Sequence, residues 1–390
     1  MKKIFLLFLC ISFLFCGCTN ENINTEQGTT NLQKTEAVTE KESFRGVWLT
    51  YSELSVKGKN YTEETYREYI AELFYSFREK GINNVFVHVR PFADALYFSE
   101  IFESSEYSSG QRGKKADFDI LRICTEEAKN CQLKIHGWIN PYRVLAVPDT
   151  DCITDGAISR LIKEDESAVT VTSDGIYLNP ASDKVQKLIV DGVREILQNY
   201  EIDGIHFDDY FYPPTFENGD QKEYADYLQN GGRLSLEDFR REKVSSLLLL
   251  TYNSVKSYGE DLIFSVSPTG DIDKNINEIY ADVPLWSEGG YCDMLIPQLY
   301  FGFENESKPF ERELSKWIEL TENSEVKLVI GLALYKVGES DIFAGSGKNE
   351  WLNSTDVIER QIKLAEERGC DGVAFFSSGH IGKLNKNKNG

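Results

Sequence analysis

The sequence predicts an α/β protein: a (β/α)₈ barrel with long loops at its C-terminal face and a short or missing last helix. Three observations carry this prediction. Strand-like and helix-like segments alternate eight times along the chain. Polar residues on successive strands share one parity. Several strand-to-helix connections are far longer than an ordinary βα loop. Eight β/α units in one domain close into a barrel, with an open doubly wound sheet as the alternative.

Strands are expected over 45–50, 84–90, 133–140, 204–208, 262–268, 293–300, 327–334 and 372–377. Amphipathic helical segments lie between them at 62–80, 117–130, 182–199, 235–257 and 355–368. Ser235 stands before Leu-Glu-Asp as a helix start, and Gly81, Gly259 and Gly369 follow helix ends. Little chain follows the eighth strand, hence the short or missing last helix.

Parity shows which way the side chains point. In the second strand Val85, Val87 and Val89 oppose Phe86, His88 and Arg90; in the third Ile135, Gly137 and Ile139 oppose His136, Trp138 and Asn140. In the fourth, Ile205 and Phe207 oppose His206 and Asp208. The fifth sets Ser265 and Ser267 against Phe264 and Val266, and the sixth ends in Gln298 and Tyr300. A barrel strand turns one face to the helical ring and the other to the axis. Arg90, Asn140, Asp208, Ser267, Gln298 and Tyr300 should therefore converge at the C-terminal mouth. The fourth strand is the most telling, because polar groups on a buried strand are costly without partners or a task. Phe211-Tyr212-Pro213-Pro214 then follows, which is no helix start.

The long connections, 91–116, 141–181 and 211–234, add Tyr97, Tyr142, Arg143, Tyr177, Tyr212 and Phe216, with Tyr210 at the last one's edge. Rings beside carboxylates, amides and arginine suit a carbohydrate, with stacking for the sugar face and forked donors for its hydroxyls. Cleaving a glycosidic bond usually takes two carboxyl groups, one kept protonated. Asp208 is the first candidate. Asp209 faces away if the strand continues but joins the loop if it has ended, where binding loop amides is as open to it as catalysis. Asp94, Asp271 and Glu288 are other acids near the expected mouth. Arg90 would hold Asp208 ionised or neutralise a buried acid pair.

His88, His136 and His206 share the axial face of three successive strands, a pattern that could hold a metal. The first strand offers Trp48 and Thr50 where a metal-dependent amidohydrolase-like barrel would carry His-x-His. Buried histidines bracing Arg90 and Asp208 are the preferred reading, so neither metal nor cofactor is expected. No Walker-type loop, dinucleotide turn, HExxH or GxSxG occurs.

The ends read separately. Residues 1–17 have the charged start and apolar run of a signal peptide, too short to span as a mature helix. Gly17-Cys18 resembles a lipoprotein cleavage site, so Cys18 would carry the lipid that anchors the chain to a bacterial membrane, outside the cytoplasm. A polar tether of 18–43 would follow, then one large domain over 44–382 and a basic tail over 383–390. The formal net charge of −21 argues against nucleic acid and against an anionic membrane surface as partners. The remaining cysteines, Cys124, Cys131, Cys152, Cys292 and Cys370, have no framework spacing and read as small buried hydrophobes.

Arg45-Gly46-Val47-Trp48, His88-Val89-Arg90-Pro91, Asp94-Ala95-Leu96-Tyr97, Asn140-Pro141-Tyr142-Arg143, Leu178-Asn179-Pro180, the segment 203–212, Ser267-Pro268 and Pro297-Gln298-Leu299-Tyr300 run collinearly through the domain. Together they resemble the glycosyl hydrolase-like 10 family of bacterial envelope proteins. The resemblance implies a barrel glycosidase acting on cell-wall glycan, some members being lipoproteins active on peptide-free peptidoglycan strands. It also implies a nucleophile at Asp208. Family-18 chitinases have a similar fourth strand, with acids where this chain has His206 and Tyr210, so their substrate-assisted mechanism is not supported. Ser267-Pro268-Thr269-Gly270 departs slightly from the family's usual Ser-Pro-Phe-Gly.

The expectation is thus a lipid-anchored monomeric glycoside hydrolase of peptidoglycan, with Asp208 as nucleophile or base and Asp209, Asp94 or Glu288 as acid. Trp48, His88, Arg90, Asn140, Tyr142, Arg143, His206, Tyr210, Ser267, Gln298 and Tyr300 would contact sugar. A surface glycan-binding barrel without catalysis and a metal-dependent polysaccharide deacetylase are the alternatives.

Overall fold

The computed structural model describes residues 43–384, save 154, 155, 214 and 217. The signal segment, Cys18, the tether to 42 and residues 385–390 of the tail lie outside the described residues. Among the described residues eleven strands run in chain order: β1 Phe44–Leu49, β2 Asn84–Arg90, β3 Lys134–Ile139, β4 Arg143–Leu145, β5 Val169–Thr172, β6 Gly175–Leu178, β7 Gly204–Phe207, β8 Ile263–Val266, β9 Met294–Leu295, β10 Lys327–Ala333 and β11 Gly372–Phe376. Eight of them close into a parallel barrel in the order β1-β11-β10-β9-β8-β7-β3-β2. The fold is the (β/α)₈ barrel expected, and among the described residues beyond β11 the chain makes a 3₁₀ turn, Ser378–Lys383.

Helices pack outside the strands, several of them started by a side-chain cap. Ser235 Oγ accepts the Asp238 N–H at 3.1 Å at the head of the helix Leu236–Tyr258, and Thr62 caps Glu63–Glu79 in the same way. Apolar residues of these helices and of the ring-facing strand positions form one continuous core. A second, smaller core fills the barrel axis: Trp48, Phe86, Trp138, Met294, Ile296, Val329 and Ala374. Space is tight where β7 enters. A Cβ on Gly204 would meet Ile263 O at 2.2 Å and His136 Nδ1 at 2.7 Å, so only glycine lets β7 sit between β3 and β8.

Two strands are shorter than their apolar runs suggested. β8 stops at Val266 and β9 at Leu295 because Pro268 and Pro297, lacking N–H groups, cannot continue the ladder. Their carbonyls still accept Gln298 N at 3.0 Å and Gly331 N at 2.9 Å, so the segment to Tyr300 stays on the barrel rim. The connection 141–181 is no plain loop. It carries a three-stranded antiparallel sheet, β4-β6-β5, and a short helix Ala157–Glu164. The alternating Val-Thr-Val-Thr of β5, turned by Ser173-Asp174 into Gly175, was the signal for it. Of the cysteines, Cys124 and Cys292 are buried, Cys131 and Cys370 half-buried, and Cys152 exposed, contrary to the expectation for that one.

Candidate active site

β7 ends at Phe207, so Asp208 and Asp209 both leave the strand at the C-terminal mouth. Asp208 is buried. Its Oδ2 accepts the indole N–H of Trp138 at 2.9 Å, and its Oδ1 accepts the backbone N–H of Tyr210 at 3.3 Å. Burial first, then the Asp209 charge, push its pKa up to about 8; the Trp138 and Tyr210 hydrogen bonds and Arg143 oppose the rise. Asp209 is half-buried and also raised by desolvation, against a hydrogen bond from the Gln298 amide and the charge of Lys274. It also lies close enough to Tyr300 to raise that hydroxyl, after burial. The end of the strand thus resolves the direction of Asp209: it joins Gln298 and Tyr300 at the mouth.

Trp138, though axial in parity, was not among the expected site residues. It forms the floor under Asp208, and His88 stacks on it with centroids 3.5 Å apart and planes at 10°. His88 is 5% exposed, yet neither ring nitrogen has a hydrogen-bond partner among the described residues. Burial, then Arg143, hold its pKa well below the usual histidine value, so it is neutral. Tyr51 meets the His88 ring edge-on at 5.5 Å. Arg143 lies between Phe92 at 4.9 Å and the exposed Tyr210 at 5.1 Å, its backbone N–H given to Asn140 Oδ1 at 3.1 Å. Tyr142 and Ser267 are buried, with hydroxyls unpartnered among the described residues.

Several expected residues have other tasks. The β2–β3 ladder shifts register between His88 and Arg90, pairing Arg90 with the ring-facing Ile139. Parity carried through the bulge therefore aimed Arg90 wrongly. It is 1% exposed, rests on Phe102 at 4.9 Å, and gives Nη2 to the carbonyls of Asn140 and Pro141 at 3.2 and 3.1 Å. It braces the β3 loop; its link to Asp208 is the pull of opposite charges, which with Tyr97 and Asp94 partly offsets the burial that lowers its pKa. Trp48 and His206 lie in the axial core, bonded to each other at 3.0 Å, with His206 Nδ1 on Ser265 Oγ at 2.8 Å. Since an indole only donates, His206 Nε2 accepts and Nδ1 carries the proton. His136 pairs with Asn84 Oδ1 at 3.0 Å. No histidine bonds Arg90 or Asp208; the bracing read from sequence belongs to Trp138. No group of three His, Cys, Asp or Glu among the described residues could hold a metal ion.

Of the remaining acids, Asp94 is buried near Arg112, and burial lifts its pKa to about 6. Asp271 is a helix cap, paired with Lys308. Glu288 is exposed on the turn that follows the helix Val283–Ser287 and leads toward the N-terminal end of β9. Neither is brought to the Asp208–Asp209 pair.

The raised Asp208 pKa predicts a stability profile. A carboxyl whose folded pKa lies above its unfolded value stabilises most below the unfolded value and loses that contribution as pH climbs through the folded one. Asp208 therefore costs stability progressively between about pH 4 and pH 8. Asp208→Asn is expected to raise the midpoint of thermal unfolding at pH 8 and to leave it nearly unchanged at pH 4. An equal shift at both values would refute the assignment.

An aromatic-walled barrel mouth that gathers buried carboxyls suits a glycosidase, and that is the class to which this protein belongs. More narrowly, the chain belongs to the glycosyl hydrolase-like 10 family, whose model matches residues 43–346. It is 28% identical over 416 residues to the glycosyl hydrolase DigH of Escherichia coli, covering 97% of this chain and 93% of that protein. It is 29% identical over 372 residues to the glycosyl hydrolase YngK of Bacillus subtilis, covering 88% and 69%. Among solved structures, the glycoside hydrolase domain of PgaB (BpsB) from Bordetella bronchiseptica superposes with a TM-score of 0.58 at 11% identity, covering 88% of this chain and 96% of that one. The catalytic domain of a β-amylase from Paenibacillus polymyxa gives 0.55 at 9%, covering 87% and 93%. At such identities these two speak for the fold.

Proposed function

We propose that this protein is an extracytoplasmic, Cys18-lipidated glycosidase of bacterial cell-wall glycan, and that Asp208 and Asp209 carry the reaction. The observation that supports it most is the Asp208 carboxyl, buried on Trp138 with a pKa of about 8 at the end of β7. A nucleophile must be ionised, whereas a general acid must hold its proton at working pH. Burial therefore favours Asp208 as the acid, in place of the nucleophile or base read from sequence. Its proton passes to the glycosidic oxygen as the bond to the anomeric carbon breaks; a water oxygen then bonds to that carbon and gives a proton back to the Asp208 carboxylate, leaving a new reducing end. Asp209, whose pKa burial raises against the opposing Gln298 hydrogen bond and Lys274 charge, is the carboxyl placed to stabilise, once ionised, the positive charge developing at that carbon. Neutral His88, with both nitrogens unpartnered among the described residues, meets sugar hydroxyls or acetamido groups.

Arg143 bears on the substrate. Held between Phe92 and Tyr210 at the opening, it offers a cation to the lactyl carboxylate that muramic acid exposes once its stem peptide is removed. Peptide-free strands should be preferred for that reason. The domain from Phe44 onward, incubated with purified glycan strands with and without stem peptides, is expected to generate new reducing ends, faster on the peptide-free strands. Strand capture without cleavage would instead identify a glycan-binding barrel, and no interaction at all would refute the substrate.

A further inference from the structure

Two large apolar side chains stand in water at the tip of the loop after β10: Ile342, 76% exposed, and Phe343, 84% exposed. Single exposed apolar residues are ordinary. Here the backbone beneath them is held from several sides. Asp341, buried, gives its N–H to Lys348 O at 2.8 Å and takes the Phe343 N–H on Oδ1 at 3.2 Å and the Ala344 N–H on its carbonyl at 3.0 Å. The carbonyl of the buried Ala344 accepts Glu306 N at 3.1 Å. With the backbone pinned at these points, the display of the two side chains is a property of the fold.

The loop is also tied to the mouth. Lys336 Nζ bridges Asp341 Oδ2 at 2.7 Å and the Tyr300 carbonyl at 2.6 Å. The Tyr335 ring meets Tyr300 edge-on at 6.1 Å, and Tyr300 is the neighbour of Asp209. From the acid pair outward, then, a continuous run of contacts leads through Tyr300, Lys336 and Asp341 to Phe343.

We propose that Phe343, with Ile342 beside it, is an outer subsite on the rim of the mouth, stacking on the apolar face of a sugar ring several residues along the strand from the bond being cleaved. The inference rests on the glycosidase reading and adds to it a dependence on strand length. A flat ring on a rigid loop suits a pyranose face, and a polymer reaching the rim gains contact that an oligomer confined to the mouth does not.

Phe343→Ala is expected to raise KM on long glycan strands roughly 3- to 10-fold, the contribution of one aromatic contact, and to narrow the advantage of long strands over short oligomers. A KM on long strands equal to that of the unaltered protein would overturn the subsite while leaving the glycosidase intact. Failure of the unaltered protein to cleave any strand would sink the functional reading and the subsite with it. Binding to phosphatidylglycerol vesicles that Phe343→Ala abolishes, with strand kinetics untouched, would reassign the tip to lipid and likewise overturn the proposal.

Discussion

Asp208→Asn is expected to abolish strand cleavage, lowering kcat by at least about 10³-fold while the barrel stays folded. The side chain keeps its volume, and Oδ1 of the amide still accepts from Tyr210 N or Trp138 Nε1. What goes is the transferable proton. The same assignment sets the sign of the pH dependence in the unaltered protein. If Asp208 acts as the acid, kcat/KM falls on the alkaline side as its proton leaves, with an apparent pKa of about 8 that belongs to the Asp208–Asp209 pair as a unit. A rate that rises through pH 8 would make Asp208 the nucleophile after all. Asp208→Asn with full activity would remove it from the chemistry altogether. Measuring reducing ends across the range from about pH 5 to about pH 9 separates these cases.

The second large effect concerns the segment that follows the acid pair. Asp220, fully buried, takes Arg240 Nε at 2.7 Å and Nη2 at 2.8 Å, a two-point grip from the helix Leu236–Tyr258. Arg240 also gives Nη1 to Tyr280 Oη at 3.0 Å and lies over the rings of Tyr212 and Tyr280 at 5.4 and 5.1 Å. Burial alone would lower the Arg240 pKa; the hydrogen bonds and charge of Asp220 more than reverse it. Asp220→Ala removes the carboxylate from a guanidinium that stays desolvated, a loss of about 3–5 kcal/mol. The effect should appear in the urea midpoint of unfolding. Because the pair tethers the turn that carries Tyr210 to Phe216, Asp220→Asn, which keeps one acceptor, should fall between. A loss under about 1 kcal/mol for the alanine variant would show that water reaches Arg240 and that the pair is not the anchor described.

The barrel was legible because its signal is redundant. Eight alternating segments, each with a two-residue or 3.6-residue apolar period, agree on one architecture, and an error in any single segment leaves the count unchanged. Strand ends were less legible; the two largest shifts, in β8 and β9, come at Pro268 and Pro297. The small sheet within 141–181 was missed, although its strand alternation and its Asp-Gly turn stand in the sequence. Long loops do not advertise that they contain structure of their own.

The position of the acid pair was legible on energetic grounds: two acids at the end of an apolar strand are too costly to bury there without partners or a task. Their surroundings were not legible. Parity sent Arg90 to the mouth, but a bulge of one residue turned it onto Phe102 and the Asn140 and Pro141 carbonyls. Trp138, largely apolar and so easily taken for core, became the donor to Asp208. Three histidines of one parity separated into two hydrogen-bonded core members and one buried ring that stacks on Trp138 with its nitrogens unpartnered among the described residues.

The sequence by itself determined the barrel, the strand that bears the acids and the loops that overhang them, since periodicity and chain order are local properties repeated many times. Only the tertiary structure decided which polar residue meets which. Hydrogen bonds and pKa shifts depend on distances of a few ångströms between residues as far apart in the chain as Trp138 and Asp208. A single bulge or strand end changes those distances without leaving a mark on the pattern.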